Sequence, residues 1–299
     1  MQEKLKSAGK CLFCGKTFAK SVINRHLTTH LKEKAETNEK GQSFLVKVTT
    51  PVREEATPYF LSLWVDGEAT MRTIDTFLRD IWVDCCGHLS AFSFPPDKNR
   101  RDELLELLED DELDDVDDTN DDLFDDDEDD EDDEDDDYDD YDEDDDYDDY
   151  DDYDDDFFGD GNYDWERDEY DNEVPKASKV KDVLSKDLIL TYEYDYGSTT
   201  TLNLTTMLEL PVKADEDIVL LSRNEPPEIL CDMCHKAPAK HICNICVYDD
   251  KGAFCDKCAK KHAKTCEYFE DGADLPLANS PRAGVCYYTG GTIDAERDG

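Results

Sequence analysis

Cysteine and histidine residues recur in closely spaced pairs near the C-terminus of this sequence. The eight residues are Cys231, Cys234, Cys243, Cys246, Cys255, Cys258, His262 and Cys266. A two-residue gap lets both thiolates of a Cys-x-x-Cys pair reach one tetrahedral ion from a tight turn. His262 and Cys266 are four positions apart, so they would share one face of a helix, predicted over 256–265. Four pairs predict two complete zinc sites, and because no ligand is missing we expect structural rather than catalytic zinc.

We expect alternating pairs to share an ion, in a cross-brace. One ion would be held by Cys231, Cys234, Cys255 and Cys258. The other would be held by Cys243, Cys246, His262 and Cys266. This spacing is similar to that of B-box and related cross-brace zinc domains, which mostly bind protein partners, and the resemblance implies the same for a module at 228–299. The nearby His235 and His241 are interpreted as surface residues rather than ligands.

A second pattern, near the N-terminus, joins a Cys-x-x-Cys pair to two histidines one helical turn apart. Its members are Cys11, Cys14, His26 and His30. The pattern resembles a C2H2 zinc finger, with Phe18 and Ile23 where that family keeps its small core. The gap between the two pairs is one residue shorter than usual. We therefore predict a finger at 1–42 and about three zinc ions in the chain.

The finger is not expected to recognise a DNA sequence. Its base-reading positions would be Ala19, Val22 and Arg25. Alanine and valine cannot make bidentate hydrogen bonds to base edges. The lysines around the finger could contact phosphates without sequence preference, or could simply form a solvated face. Weak contact with nucleic acid or protein stays open.

The formal net charge of -48 is concentrated in one stretch of the chain. Only Arg101 and Arg167 are basic between residues 101 and 173, where aspartate dominates. Such a composition cannot bury enough apolar area to offset its ordering entropy, so we predict a disordered acidic insertion. It is interpreted as a solvated spacer. Mimicry of a nucleic-acid strand, with interleaved tyrosines standing for bases, and loose cation binding are the alternatives.

The residues on either side of the acidic stretch have the patterns of a mixed α+β fold. A helix is predicted from the spacing of apolar residues between Met71 and Trp82. Strands are predicted at 43–49, 59–65, 89–94, 188–194, 199–204 and 218–222, with a short helix at 180–184. Segments 43–98 and 177–224 are each small for a stable core. We therefore expect one antiparallel-sheet domain of the α+β class, split by the insertion and flanked by the two zinc modules.

Two stretches of this domain carry a family resemblance. The residues at 77–92, FLRDIWVDCCGHLSAF, and those at 190–204, LTYEYDYGSTTTLNL, resemble the plasmid pRiA4b ORF-3-like family. The tail at 277–290 also resembles endings found on family members with zinc-binding C-termini. The resemblance implies an α+β domain without an established activity. The family often carries Gly-Asp-x-Trp-x-His where this chain has GSTTTL at 197–202, so no acid–base or metal chemistry is implied there.

Several polar residues of the domain could still do chemistry. They are Asp84, Cys85, Cys86, His88 and Asp195. A Cys–His nucleophile could be assembled from them. We prefer the interpretation that the two cysteines are buried small apolar residues and that His88 starts a strand. Cys286 is likewise interpreted as a packed thiol, with a substitute ligand as the alternative.

The function predicted from the sequence is a non-enzymatic, multi-zinc interaction protein, with no catalytic residues assigned. The chain has no apolar run of the ~20 residues that span a bilayer and no apolar signal segment at its N-terminus, so we expect a cytoplasmic protein without membrane contact. Protein partners are expected. An enzyme in the central domain and an acidic nucleic-acid mimic that binds basic partners are the alternatives.

Overall fold

The computed structural model describes residues 7–51, 59–94, 172–249 and 251–297. The insertion predicted to be disordered at 101–173 therefore lies outside the described residues, apart from its last two positions. All the described residues belong to one compact unit. Among them, no helix combines the length and the apolar character needed to cross a bilayer.

The first described elements are a small hairpin and a helix. Strand β1 (Ala8–Lys10) pairs antiparallel with β2 (Thr17–Ala19), and helix α1 (Ile23–Ala35) follows. Ile23, Leu27 and Leu31 lie at a four-residue spacing on α1 and are fully buried. This stripe is typical of a helix that packs against a larger apolar surface.

That surface is the central sheet. Its elements are β3 (Lys40–Thr49), β4 (Phe60–Asp66), helix α2 (Met71–Leu78), β5 (Ser90–Ser93), the short helix α3 (Val180–Val183), β6 (Ile189–Tyr194), β7 (Thr200–Val212) and β8 (Ile218–Arg223). The six strands are antiparallel in the order β5-β6-β7-β3-β4-β8. The predicted class, antiparallel sheets with a few helices, is confirmed. Strands from before and after the acidic stretch are interleaved in one sheet, and Lys47 of β3 lies opposite Thr205 of β7.

Both faces of this sheet are covered, and β4 has no exposed residue. Leu61, Leu63 and Val65 of β4 belong to one core with α2. Phe60 and Trp64 point the other way and share a second core with the apolar stripe of α1. The helix of the predicted finger therefore packs against the central sheet and covers the second core.

Helix α2 is shorter than its apolar spacing indicated. Its first turn is capped by the Thr70 hydroxyl, which accepts a hydrogen bond from the backbone N–H of Thr73 at 3.3 Å. After Leu78 the chain continues as a π turn over Arg79–Val83. Within this wider turn three consecutive residues, Ile81 to Val83, are buried.

Strand β7 is longer than predicted. The alternation at 199–204 marks only the part that pairs with β6, whereas the strand runs to Val212. Its second half pairs with β3, where Leu208 lies opposite Leu45 and Glu209 opposite Phe44. The pairing partner, which the local sequence does not reveal, extends the strand.

The C-terminal module is a small three-stranded antiparallel sheet with one helix. Its elements are β9 (His241–Cys243), β10 (Ala253–Phe254), helix α4 (Asp256–His262) and β11 (Asp274–Pro276), with strand order β10-β9-β11. Helix α4 ends three residues before the predicted 265. Half of the main buried cluster of the module consists of cysteines, with Phe254 and Phe269 as its large apolar members, and Ile242 and Leu275 are buried beside it on β9 and β11.

After β11 the chain returns to the central sheet as a tail. The Ser280 hydroxyl donates a hydrogen bond to the carbonyl of Trp82 at 2.6 Å. The Asn224 side-chain amide donates to the Asn279 side-chain oxygen at 2.7 Å. Tyr288 and Arg282 are fully buried. The last described residues are thus packed on the same domain that begins near residue 40.

Candidate metal centres

The eight ligands predicted in the C-terminal module assemble into two groups of four. The first C-terminal cluster consists of Cys231, Cys234, Cys255 and Cys258. The second C-terminal cluster consists of Cys243, Cys246, His262 and Cys266. Within each cluster all ligand atoms lie within 4.8 Å of one another. The structure therefore brings alternating pairs together, in the arrangement expected of a cross-brace.

Tight turns and a helix start position the first C-terminal cluster. The Cys231 N–H donates to the carbonyl of Ala237, and Cys255 immediately precedes helix α4. Hydrogen bonds from the backbone N–H groups of Ala237 and Lys236 lower the pKa of Cys234 to about 6. Burial and the neighbouring thiols raise the pKa of Cys258 to about 12. Four thiolates this close repel one another, so a cation is needed before all of them can ionise.

In the second C-terminal cluster the distances match a tetrahedral ion. Cys243 Sγ lies 4.0 Å from Cys266 Sγ, and Cys246 Sγ lies 3.5 Å from His262 Nε2. With zinc–sulfur bonds of ~2.3 Å and zinc–nitrogen bonds of ~2.0–2.1 Å, tetrahedral angles place two sulfurs about 3.8 Å apart and a sulfur and a nitrogen about 3.5 Å apart.

The ring of His262 is held in place by aromatic contacts. It stacks on Phe254 at a centroid distance of 4.2 Å and meets Phe269 edge-on at 4.9 Å. Burial lowers the pKa of His262, which favours the neutral imidazole that ligates metals.

The N-terminal ligands also meet at one point. The finger cluster consists of Cys11, Cys14, His26 and His30. Its cysteines lie at the turn between β1 and β2, and its histidines lie on α1. His26 Nε2 is 3.3 Å from Cys14 Sγ and 3.2 Å from His30 Nε2. Phe18 stacks on His26 at 4.1 Å, so the expected small core is present.

The structure assembles a fourth group of possible ligands, which was not among the predicted clusters. The tail cluster consists of Cys85, Cys86, His88 and Cys286, again with all ligand atoms within 4.8 Å. The expectation that the adjacent cysteines are buried was wrong, because Cys86 is exposed and Cys85 is half-buried. His88 does not start a strand, since β5 begins at Ser90. Cys286 is half-buried beside them and is not a packed core thiol.

The π turn explains this difference. It ends at Val83, and the backbone then leaves the core, so that residues 84–89 form a loop on the surface. One signal in the sequence could have found the cluster. Once the nine predicted cysteine ligands are set aside, the only cysteines left in the chain are those of the tail cluster. His235 and His241 lie outside all four groups.

The residues considered for a nucleophile converge on the same place. The hydroxyl of Tyr194 donates to the carboxylate of Asp84 at 2.6 Å. Cys86 Sγ is 2.9 Å from His88 Nε2, and Asp195 Oδ2 is 3.6 Å from the same nitrogen. Thiol and carboxylate therefore face one ring nitrogen. In a catalytic triad the base contacts its nucleophile through one nitrogen and its orienting acid through the other.

Fold and clusters together define an α+β protein with four Cys/His groups that could hold metal ions. In comparisons with known proteins, no protein-family model matches the chain, and no curated protein and no solved structure matches it.

Proposed function

We propose that this chain is a non-enzymatic zinc-binding protein that contacts other proteins, with zinc organising its finger and its C-terminal module. The observation that carries the proposal is the number of ligands in each of the three predicted clusters. Each brings four protein ligand atoms within 4.8 Å of one another, so a four-coordinate zinc bound there would have no position left for a substrate or a reactive water. For the central sheet we keep the proposal of a pRiA4b ORF-3-like domain.

The donor set favours zinc over other metals. Thiolate and imidazole in tetrahedral geometry are typical of zinc, whereas calcium and magnesium prefer oxygen ligands. A reducing, cytoplasmic location agrees with this chemistry because it keeps the thiols available for metal. The C-terminal module also needs a metal energetically, since its core has few large apolar side chains.

Apolar side chains at the metal-binding turns support contact with protein partners. Leu12, Met233 and Ile245 each lie between the two cysteines of a Cys-x-x-Cys pair, and each is 43–47% exposed. A turn fixed by zinc would hold such a side chain rigidly in solvent, so binding a partner would require no further ordering of the turn. Burial against a partner is favourable for apolar side chains of this kind.

An enzyme in the central domain is the second candidate, favoured by the short Cys86–His88 distance. Two observations weigh against it. Asp195 faces the same His88 nitrogen as Cys86, so it does not orient the base through the other nitrogen as the acid of a triad does. A groove beside α2 is lined by residues such as Arg72 and Glu216. Its lining does not include Cys86, His88 or Asp195.

The test is the metal content of the full-length protein and its structural role. Native mass spectrometry should find at least three zinc ions in the protein, one for each predicted cluster. Cys234→Ser and Cys246→Ser should each lower that number by one. Chelation should make the amides of 228–276 exchange with solvent far faster, while the central sheet stays protected. A metal-free protein, or a C-terminal module that is equally protected after chelation, would overturn the proposal.

A further inference from the structure

The tail cluster contains the three cysteines of this chain that the other three groups leave out. The sequence contains twelve cysteines and six histidines. The four groups together contain every cysteine and four of the histidines, and each group has four members. Three of these groups were predicted from local spacing, but the fourth joins residues 200 positions apart. No cysteine of the chain therefore lies outside a group of four possible metal ligands.

The sulfur–sulfur distances in the tail cluster are close to those of a tetrahedral zinc site, whereas its histidine lies closer to two of the sulfurs. Cys86 Sγ lies 3.7 Å from Cys85 Sγ and 3.7 Å from Cys286 Sγ. Two sulfurs on one tetrahedral zinc stand about 3.8 Å apart. His88 Nε2 lies 2.9 Å from Cys86 Sγ and 3.2 Å from Cys286 Sγ, a few tenths of an ångström closer than a bound ion would leave it.

The loop that carries three of these ligands is held by the sheet beneath it. The Tyr194 hydroxyl accepts hydrogen bonds from the backbone N–H of His88 at 3.2 Å and of Cys85 at 3.4 Å. Asp84 Oδ1 accepts from the N–H of Gly87 at 2.9 Å, which closes the turn. The three ligands are therefore pre-organised on the central domain, and only the fourth has to come from elsewhere.

The fourth ligand is presented by a strained backbone. Cys286 and Tyr287 both have positive φ, at 47° and 57°, a conformation that non-glycine residues rarely adopt. Such strain persists only where the surroundings hold it in place. The Tyr287 side chain is 65% exposed, whereas the next residue, Tyr288, is fully buried and its N–H donates to the carbonyl of Val285 at 3.0 Å, which anchors one end of the turn. A bond from Cys286 to an ion would anchor the strained position itself.

The charge around the tail cluster also suits a metal thiolate centre. Zinc with three thiolates and one neutral imidazole carries one net negative charge. The guanidinium of Arg282, fully buried, points Nη2 at Cys85 Sγ from 3.4 Å. Hydrogen bonds of this kind, outside the ligands themselves, orient ligands and stabilise the charge of a metal site. Because Arg282 belongs to the tail, the same contact positions Cys286.

We propose that Cys85, Cys86, His88 and Cys286 bind a fourth zinc ion, and that this ion fastens the C-terminal tail to the central sheet. On binding, the three thiols lose their protons to solvent, and nothing is oxidised or reduced. Cys86 is exposed, so this ion would be more accessible to chelators than an ion in either C-terminal cluster, neither of which has an exposed ligand.

Zinc stoichiometry tests the proposal directly. Native mass spectrometry of the full chain purified without chelator should find four zinc ions. Cys286→Ser should hold three, and His235→Ala, a histidine outside every cluster, should hold four. Three ions in both wild type and Cys286→Ser would overturn this proposal and leave the three predicted clusters intact. A chain without zinc would overturn both.

A second measurement uses the unmodified protein and does not depend on any variant folding. An exposed free thiol reacts with iodoacetamide, whereas a zinc-bound thiolate reacts much more slowly. Cys86 should stay unmodified until a chelator is added, and Cys286 should become reactive at the same chelator concentration. Modification of Cys86 at the same rate before and after chelation would overturn the proposal.

The role as a fastener has its own readout. In Cys286→Ser, amides of the tail at 278–288 should exchange with solvent at least roughly tenfold faster, because the tail opens locally. Amides of β9 to β11 should exchange as in wild type. Cys86→Ser removes a ligand from the other side and should give the same pattern. Unchanged tail exchange in both variants, with the ion lost, would overturn the fastening role.

Discussion

Arg282 donates a hydrogen bond through Nη2 to the carboxylate of Asp195, and both side chains are buried. Asp195 follows β6 of the central sheet, whereas Arg282 belongs to the C-terminal tail. The same guanidinium donates through Nη1 to the carbonyl of Ser198 and the hydroxyl of Thr200, both at 2.9 Å. One cation of the tail thus satisfies several acceptors at the end of the sheet.

Replacing Arg282 should therefore destabilise the protein strongly. Arg282→Met leaves Asp195 buried beside an apolar group, and loss of one partner of a buried ion pair costs about 3–5 kcal/mol. The change should appear as a lower midpoint in urea unfolding followed by near-ultraviolet circular dichroism. Arg72→Met, at an exposed position on α2, is the matched control and should stay within ~0.5 kcal/mol of wild type. Equal midpoints for the two variants would contradict the proposed contribution of the ion pair.

The carboxylate of Asp75 should give the central domain an acid-sensitive component of stability. Burial opposes its ionisation, but hydrogen bonds from Ser90 and Tyr192 and the charges of Arg79 and Lys176 outweigh it and lower its pKa. A carboxyl whose pKa is lower in the folded state adds stability above its unfolded pKa of ~3.9 and loses it as the pH falls through the folded value.

Asp75→Asn should flatten that dependence and lower stability at pH 7. Urea midpoints measured between pH 7 and pH 3 should fall more steeply for wild type than for the variant. Glu216→Gln removes a carboxylate at an exposed site, so its pH profile should follow that of wild type. Parallel profiles for Asp75→Asn and wild type would show that Asp75 does not contribute in this way.

The close approach of the N-terminal hairpin to the sheet depends on Gly9. A Cβ at this position would lie 2.6 Å from Phe60 Cζ and 2.9 Å from the carbonyl of Arg223. Gly9→Val should therefore push β1 away from the end of β8 and expose the core beneath α1. We expect faster proteolysis within residues 7–35 at native pH.

Gly197 provides the control for this experiment. A Cβ there would meet only Asp195 Oδ1, at an ordinary 3.4 Å, and the backbone does not have a positive φ. Gly197→Ala should be cleaved at the wild-type rate. If Gly9→Val were equally resistant, the hairpin would not be packed as described.

Helix α1 should stabilise the sheet as well as the finger. Leu27 is fully buried in the core that contains Trp64 of β4. Leu27→Ala leaves a cavity between helix and sheet and should cost about 2–5 kcal/mol. The tryptophan fluorescence of the central domain should report the loss, with Thr29→Ala on the exposed side of α1 as control. A stable sheet beside an unfolded finger would contradict the shared core.

The features predicted most fully from the sequence are those that depend on residues close together in the chain. Ligands such as Cys231 and Cys234 act through a fixed gap, so their spacing alone indicates the chemistry and even the alternating grouping. For helix α1 the sequence indicated the two histidine ligands but not the sheet surface against which Leu27 packs. Strands from several parts of the chain form that surface, and no local periodicity indicates which of them the helix will cover.

Cys86 and Cys286 show where local patterns fail. Their neighbours carry no second cysteine at a metal-binding gap, and Cys85 and Cys86 were interpreted as buried because free cysteine behaves as a small apolar residue. The chain instead leaves the core after the π turn that ends at Val83, which no local spacing indicates. The leftover cysteines name three of these ligands, but only the three-dimensional meeting of loop and tail shows that they form one group with His88.

The pairing of β3 with β7 has a consequence for synthesis on the ribosome. About 150 residues separate the end of β3 from the start of β7, which at ~5–20 residues per second takes about 8–30 s to translate. Throughout this interval a nascent chain has one edge of β3 without its partner, and unpaired edges invite association with other chains. The aspartate-rich stretch emerges in that interval, and its charge would repel neighbouring nascent chains until β7 arrives.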